Sequence, residues 1–305
     1  GFAVILTGTR WIEKLMPPVV TGAIVMIIGL NLAPITIKNV AGQPFELWMA
    51  LITVLCMGVI AVFSQGLLQR LLLLLGLLMA YAIYVLATNG LGYGKAIDFS
   101  TIAAAPWFGL PHFTEPAFEL NAMLIIAPVA LILVAENLGH IKAVSAMTGE
   151  NLTPQLGKAF VADGLATTLS GSVGAPGMTT YGENIGVMAV TQVYSTIIFV
   201  IAGLFAICLG LSPKFGAVIS TIPSAVLTGA SIVVFGLITI AGAKIWIENK
   251  VDFSNNKNLM VASVTIILGA GNFELLFGSF TLGGIGTATF AAIFLNLLFS
   301  LKDKN

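Results

Sequence analysis

The sequence predicts an all-α polytopic membrane protein, and three observations carry that prediction. Hydrophobic residues make up 58% of the 305 and charged residues 9%, with a mean hydropathy of +1.02. A soluble domain carries about a quarter charged residues. Apolar runs of span length recur between short polar turns, and about 20 apolar residues cross a bilayer as a helix. One apolar stretch, Ala175 to Gln192, is broken by Pro176, Gly177 and Gly182 and carries Glu183. The net charge is zero, so nothing suggests nucleic acid. Cys56 and Cys208 lie inside apolar runs and read as packing residues, with no disulfide framework or metal cluster implied.

Taken in order, Phe2 to Leu6 looks like the tail of an earlier span, and residue 1 is Gly rather than Met, so an N-terminal segment is expected to be missing. A polar turn with Arg10, Glu13 and Lys14 follows. Pro17 and Pro18 suit the first turn of a helix, and a span runs from there to about Ile37. Further spans are expected over Leu47 to Ser64 and about Leu67 to Thr88. Asn89 to Pro116 reads as a long loop whose Trp107, Phe108 and Phe113 suit the membrane interface, with His112 a solvated loop histidine. A fourth span, Phe118 to about Ala143, holds Glu136 and His140. After a polar turn come Ala159 to Ser172 with Asp163, the broken segment, Val193 to Leu211, Ile222 to Ile247, the short Asn258 to Ala270, and Gly283 to Leu301.

Alternating these spans places Arg10, Lys14, Arg70, Lys142, Lys158, Lys244, Lys250, Lys257, Lys302 and Lys304 on one side, and Lys38, Lys95 and Lys214 on the other. The excess makes the first side cytoplasmic, with the C-terminus on it. Val19 to Leu30 (VVTGAIVMIIGL) and Val226 to Leu237 (VLTGASIVVFGL) match at six of twelve positions, at an offset of 226 − 19 = 207. The two spans run in opposite directions, as an inverted repeat requires; chance likeness of Gly-, Ala- and Val-rich helices is the alternative. Applied to Glu183 and to residue 118, the offset points to positions −24 and −89. The expectation is therefore that roughly 90 residues, with half of a binding site, precede Gly1.

Within the broken segment, Met178 to Tyr181 reads as a short extended piece, since β-branched and aromatic residues favour that geometry. A helix of two to three turns is expected from Glu183 or Asn184. Non-helical backbone at membrane depth survives only when buried in protein or lining a cavity, and discontinuous helices are where many transporters bind substrate. A re-entrant structural loop is the plain alternative. Glu136 and His140 are four apart and share a helix face. Glu183 opens the half-helix, where backbone N–H groups favour a carboxylate. A Glu–His pair can exchange a proton near physiological pH, although the same pair could simply hold two helices together. No HExxH motif and no nearby second His support a metal. Asp163 reads equally as a polar anchor, and Tyr181 and Phe235 as core aromatics or as rings that stack on a planar ligand.

Glu183, Asn184, Gly186 and Thr191 in GENIGVMAVT, with AENLGH over Ala135 to His140, resemble the two signature segments of the nucleobase–ascorbate transporter family. TTYGENIGVMAVTQVYS is most similar to the bacterial uracil–proton symporters. The resemblance implies fourteen segments in two inverted repeats of seven, about ten of them in this chain. Residues 1–88 would end the first repeat as gate-type helices, 89–117 form an external loop, 118–192 hold the core substrate-binding helices, and 193–305 complete the second repeat. It further implies that Glu136, Tyr181, Gly182 and Glu183 contact a nucleobase, with Phe235 kept as a substrate-binding candidate for its ring alone. Glu136 and His140 would couple the proton, with Asn184, Gly186, Thr191 and Asp163 in support. No cofactor beyond the coupling proton is implied. The bacterial inner membrane is the expected location, and a homodimer is compatible with this architecture. Two departures stand out. Gln192 occupies a position where uracil members carry a basic residue, and Asp163 occupies one where purine members often carry Asp. The rival readings are a xanthine or purine symporter of the same family, an anion transporter of the same architecture, which Glu183 opposes, and a membrane enzyme, for which no paired-Asp or Ser/His pattern appears.

Overall fold

The computed structural model describes residues 1–301 apart from 9, 128, 278 and 279; the side chains at 121, 125, 131, 132, 135, 146, 189, 190, 277 and 280, with those of Lys142 and Glu183, also lie outside the described residues. The chain runs through α1 (Phe2–Thr7), α2 (Arg10–Leu15), α3 (Pro18–Lys38), α4 (Pro44–Phe63), α5 (Leu67–Arg70), α6 (Leu72–Val85), α7 (Ser100–Ala104), α8 (Leu120–Ile126) and α9 (Val129–Thr148). It continues through α10 (Leu156–Ser172), α11 (Glu183–Thr191), α12 (Ile197–Gly210), α13 (Pro213–Ser220), α14 (Ser224–Glu248), α15 (Asn256–Ala270), the strands β1 (Leu275–Phe277) and β2 (Phe280–Leu282), and α16 (Gly284–Ser300). Among the described residues, four helices are long and apolar enough to cross a membrane, or five if the bent pair α12–α13 counts as one span. The protein is an all-α polytopic membrane protein, as its composition predicts.

Local chemistry explains most boundaries. Pro18 opens α3 where a missing N–H costs nothing. Pro44 does the same for α4, and Pro213 for α13, where the Ser212 hydroxyl accepts from Phe215 N. Asn255 caps α15 by accepting from Lys257 N at 2.9 Å. Where the structure departs from simple spans, the reason is also local. The third span is the short α5 followed by one continuous membrane-length helix, Leu72–Gly90, made of α6 and a π-helical end over Leu86–Gly90. The fourth is two helices, α8 and α9. The long loop after the third span contains α7, started by Asp98, which accepts from Ser100 N and Ser100 Oγ at 2.8 and 2.9 Å. Those two donors hold the Asp98 carboxyl below its ordinary range. The β1–β2 hairpin pairs Leu275 with Leu282 and Leu276 with Thr281.

The chain divides into two compact units. The first comprises Gly1–Ile35, Thr114–Gly182 and Val234–Asn305. Its core gathers Ile12, Val20, Ile24, Leu138, Leu156 and Val261. Here α1 lies on α10, and α15 pairs with α16. Helices α3 and α14 approach very closely: a Cβ on Gly29 would overlap the Phe235 carbonyl oxygen and the Thr239 hydroxyl, and one on Gly22 would overlap the Trp246 ring. Small residues let membrane helices come this near, and Trp246 Nε1 ties the pair by donating to Val19 O at 3.1 Å.

The second unit comprises Thr36–Phe113 and Glu183–Val233. Its core holds Met49, Ala50, Ala80, Tyr84 and Val226. Within it α4 pairs with α6, and α11 lies on α5. Gly229 on α14 meets Ala50 O and Thr53 on α4. Trp107, 78% exposed, lies beneath Lys214, whose Nζ is 5.0 Å from the ring centroid and donates to Ile102 O at 3.0 Å. This cation–π contact ties the loop after the third span to α13.

Candidate substrate site

The non-helical stretch between α10 and α11 is made by three residues and held by hydroxyls. Gly174 takes φ +82, a left-handed conformation that glycine adopts without strain. Pro176 lacks an N–H, and Gly177 follows it. Residues 175–181 carry no helix, and α11 then runs nine residues from Glu183. Unpaired backbone in an apolar setting is costly, and side chains of α10 supply partners. The Thr167 hydroxyl donates to Met178 O at 2.9 Å and accepts from Met178 N at 3.1 Å. Ser170 Oγ donates to Pro176 O at 2.5 Å. Replacing Thr167 by Val is therefore expected to lower thermal stability by about 1–3 kcal/mol, at about 0.5–1.5 for each lost bond. Thr167→Ser should behave as the wild type in thermal unfolding of detergent-purified protein.

Glu136 and His140 sit one turn apart on α9, both half-buried. Thr179 and Thr180 reach them from the break. Thr179 Oγ1 donates to Glu136 Oε2 across a long 3.5 Å, and His140 Nδ1 lies 2.7 Å from Thr180 Oγ1. Gly182 packs against the imidazole: a Cβ there would stand 2.8 Å from Nε2. Asp163 on α10 accepts from Asn137 Nδ2 at 2.9 Å. Glu136, His140, Asp163 and Gly182 are thus gathered in one unit. Beside them is a cavity of about 390 Å³ lined by Glu136, Leu133, Val129, Ile28, Asn31 and the start of α16 at Gly283 and Gly284, among others. Its walls are mostly apolar with few polar groups, the character of a small-molecule pocket.

The remaining expected residues are placed less centrally. Tyr181 is 64% exposed. Phe235, half-buried on α14, presents its carbonyl to Gly29 and does not line the cavity. Asn184 and Gly186 belong to α11, whose last residue, Thr191, donates to Val187 O at 2.9 Å. Gln192 closes that helix in a left-handed conformation, φ +56. Among the described residues no group of three or more His, Cys, Asp or Glu is placed to hold a metal ion. The sequence reading passed over Asn137, Thr167, Thr179 and Thr180. Their signal was the density of hydroxyl and amide residues in otherwise apolar helices on either side of the break.

Residues 1–276 match the permease family. The chain belongs to that family, the nucleobase–ascorbate transporters. This permease is 64% identical over 302 residues to an Escherichia coli (strain K12) protein named as a pyrimidine permease, RutG, covering 99% of this chain and 68% of that one. It is 38% identical over 318 residues to a uracil permease of Paenibacillus larvae, covering 100% and 74% of the two chains. A uracil permease of E. coli (strain K12) is 37% identical over 311 residues, covering 99% and 71%. The protein is a multi-pass membrane transporter, and not an enzyme.

Proposed function

We propose that this permease takes up a nucleobase, uracil, together with a proton, by alternating access across the bacterial inner membrane. One observation carries the reading: Glu136 and His140 share a face of α9 that meets the interrupted segment through Thr179 and Thr180, beside a cavity that Glu136 lines. Carboxylates accept from the two ring N–H groups of uracil, and backbone N–H groups at the break donate to its carbonyls. Glu183, first residue of α11, is the second carboxylate in this scheme. The names of the relatives support a pyrimidine substrate. The ten-to-three division of basic residues supports a cytoplasmic C-terminus. The division into gate helices over 1–88 and 193–305, with core helices over 118–192, remains part of the proposal.

Asp163 favours a second reading, a xanthine or purine substrate. A competition assay separates the two. Cells expressing the gene that encodes this chain are expected to accumulate labelled uracil, and excess unlabelled uracil should suppress the uptake far more than excess xanthine. Glu183 can only accept a ligand N–H, whereas a Gln amide both donates and accepts. Stronger suppression by xanthine would overturn the uracil assignment, and uptake that ignores a collapsed proton gradient would overturn the coupling.

A further inference from the structure

Four side chains on three pieces of chain form one hydrogen-bonded line. Asn137, 1% exposed on α9, donates through Nδ2 to Leu133 O at 3.1 Å and to Asp163 Oδ2 at 2.9 Å. Thr180 Oγ1 donates to Asn137 Oδ1 at 3.0 Å, and His140 Nδ1 lies 2.7 Å from the same Thr180 oxygen. Each direction in this line follows from what each atom can do. A backbone carbonyl only accepts, so Leu133 O fixes the NH2 side of the Asn137 amide whatever the protonation of Asp163. The amide oxygen then faces Thr180, and it too only accepts. Thr180 must give it the single hydroxyl hydrogen. Towards His140 the Thr180 oxygen is left with lone pairs alone, so Nδ1 must carry a hydrogen. The opposite tautomer would set two lone pairs against each other at 2.7 Å, beside an amide with almost no solvent access.

We propose that Asn137 and Thr180 are positioning residues that hold the neutral His140 ring in its Nδ1–H tautomer, making Nε2, beside Gly182, the nitrogen that takes up and releases the proton. Asp163 ends the line as its terminal acceptor, which gives this aspartate a task separate from base preference. Gly182 has a part as well, since any side chain there would crowd Nε2 at 2.8 Å. Among the described side chains, the titratable groups joined to the ring along these contacts are Glu136, one turn away on the same helix, and Asp163 from α10. The tautomer follows from the geometry alone; only the assignment of Nε2 as the working nitrogen rests on the proposed proton symport.

The test reads the ring directly. The chain holds two histidines, His112 and His140. Protein carrying ¹⁵N-labelled histidine in a His112→Asn background, assigned by the resonances that His140→Gln removes, reports the ring alone. In the neutral ring, at high pH, Nδ1 is expected to show the protonated, pyrrole-type shift and Nε2 the bare, pyridine-type shift. Thr180→Val should move the ring towards the Nε2–H form that a free imidazole favours in water, and Thr180→Ser should restore the wild-type spectrum. An Nε2–H ring in the wild type would overturn the inference, and so would a Thr180→Val spectrum identical to the wild type. If Thr180→Val does not fold, the wild-type spectrum decides. Failure of uracil uptake would count against the proposed function and leave the tautomer result standing.

Discussion

Glu183→Ala is expected to weaken uracil binding roughly tenfold to hundredfold, and His140→Ala is expected to retain it while losing the pH dependence of uptake. Glu183 opens α11 directly after the non-helical stretch, where the helix dipole favours a charged carboxylate. A ligand N–H buried without its charged acceptor costs about 1.5–3 kcal/mol, which is roughly tenfold to hundredfold in Kd. His140 is placed differently. Its Nδ1 is engaged by Thr180 and its Nε2 lies against Gly182, and in the proposed scheme it handles the proton. Uptake by the wild type should rise as pH falls across roughly pH 8 to 5, the range in which histidine takes up its charge. His140→Ala should flatten that profile. Calorimetric binding combined with uptake across the same range distinguishes the two roles. The division of labour fails if Glu183→Ala binds uracil normally, or if His140→Ala keeps a wild-type pH profile.

The second large effect concerns the crossing of α3 and α14. Gly29→Ala is expected to destabilise the fold by about 1–3 kcal/mol, the usual cost of forcing extra atoms into a packed interior. Gly29→Leu should leave no monodisperse protein after detergent extraction. The first added carbon already overlaps the Phe235 carbonyl oxygen, and that backbone atom cannot rotate away as a side chain would. The repeat supplies its own control. Gly236 is the offset partner of Gly29, and a Cβ there meets nothing within 4 Å. Gly236→Ala should therefore be neutral or stabilising by about 0.5–1 kcal/mol, since alanine favours the helix. Thermal unfolding of the pair decides the matter, and equal behaviour at both positions would refute the account of the crossing.

The likeness of Val19–Leu30 to Val226–Leu237 was legible in the sequence, but the use of its glycines was not. Gly22 and Gly29 both serve α3 against α14, while Gly229 serves α14 against α4, and Gly236 faces open space. The same residue in the same motif thus meets different neighbours, because packing partners come from elsewhere in the chain. The site divides in the same way. Glu136 and His140 were legible because two ionisable groups four apart in an apolar helix stand out. Asn137 lies between them, and an amide in an apolar helix signals a buried polar contact without saying which donor or acceptor it meets. Its partners are 26 residues away at Asp163 and 43 away at Thr180.

By itself the sequence determined that this protein lives in a membrane, where the interrupted segment falls, and that a short helix begins at Glu183. Those features follow from hydropathy and from the backbone limits of Pro and Gly, which act within a few residues of themselves. It also determined family membership, through motifs confined to two short segments. Only the tertiary structure decided that Thr167 holds the extended stretch by Met178, that Thr180 stands between Asn137 and His140, and that α3 and α14 touch at Gly29. A hydroxyl or a glycine reads alike in any helix. What it does depends on which donor, acceptor or backbone the fold brings within about 3 Å of it.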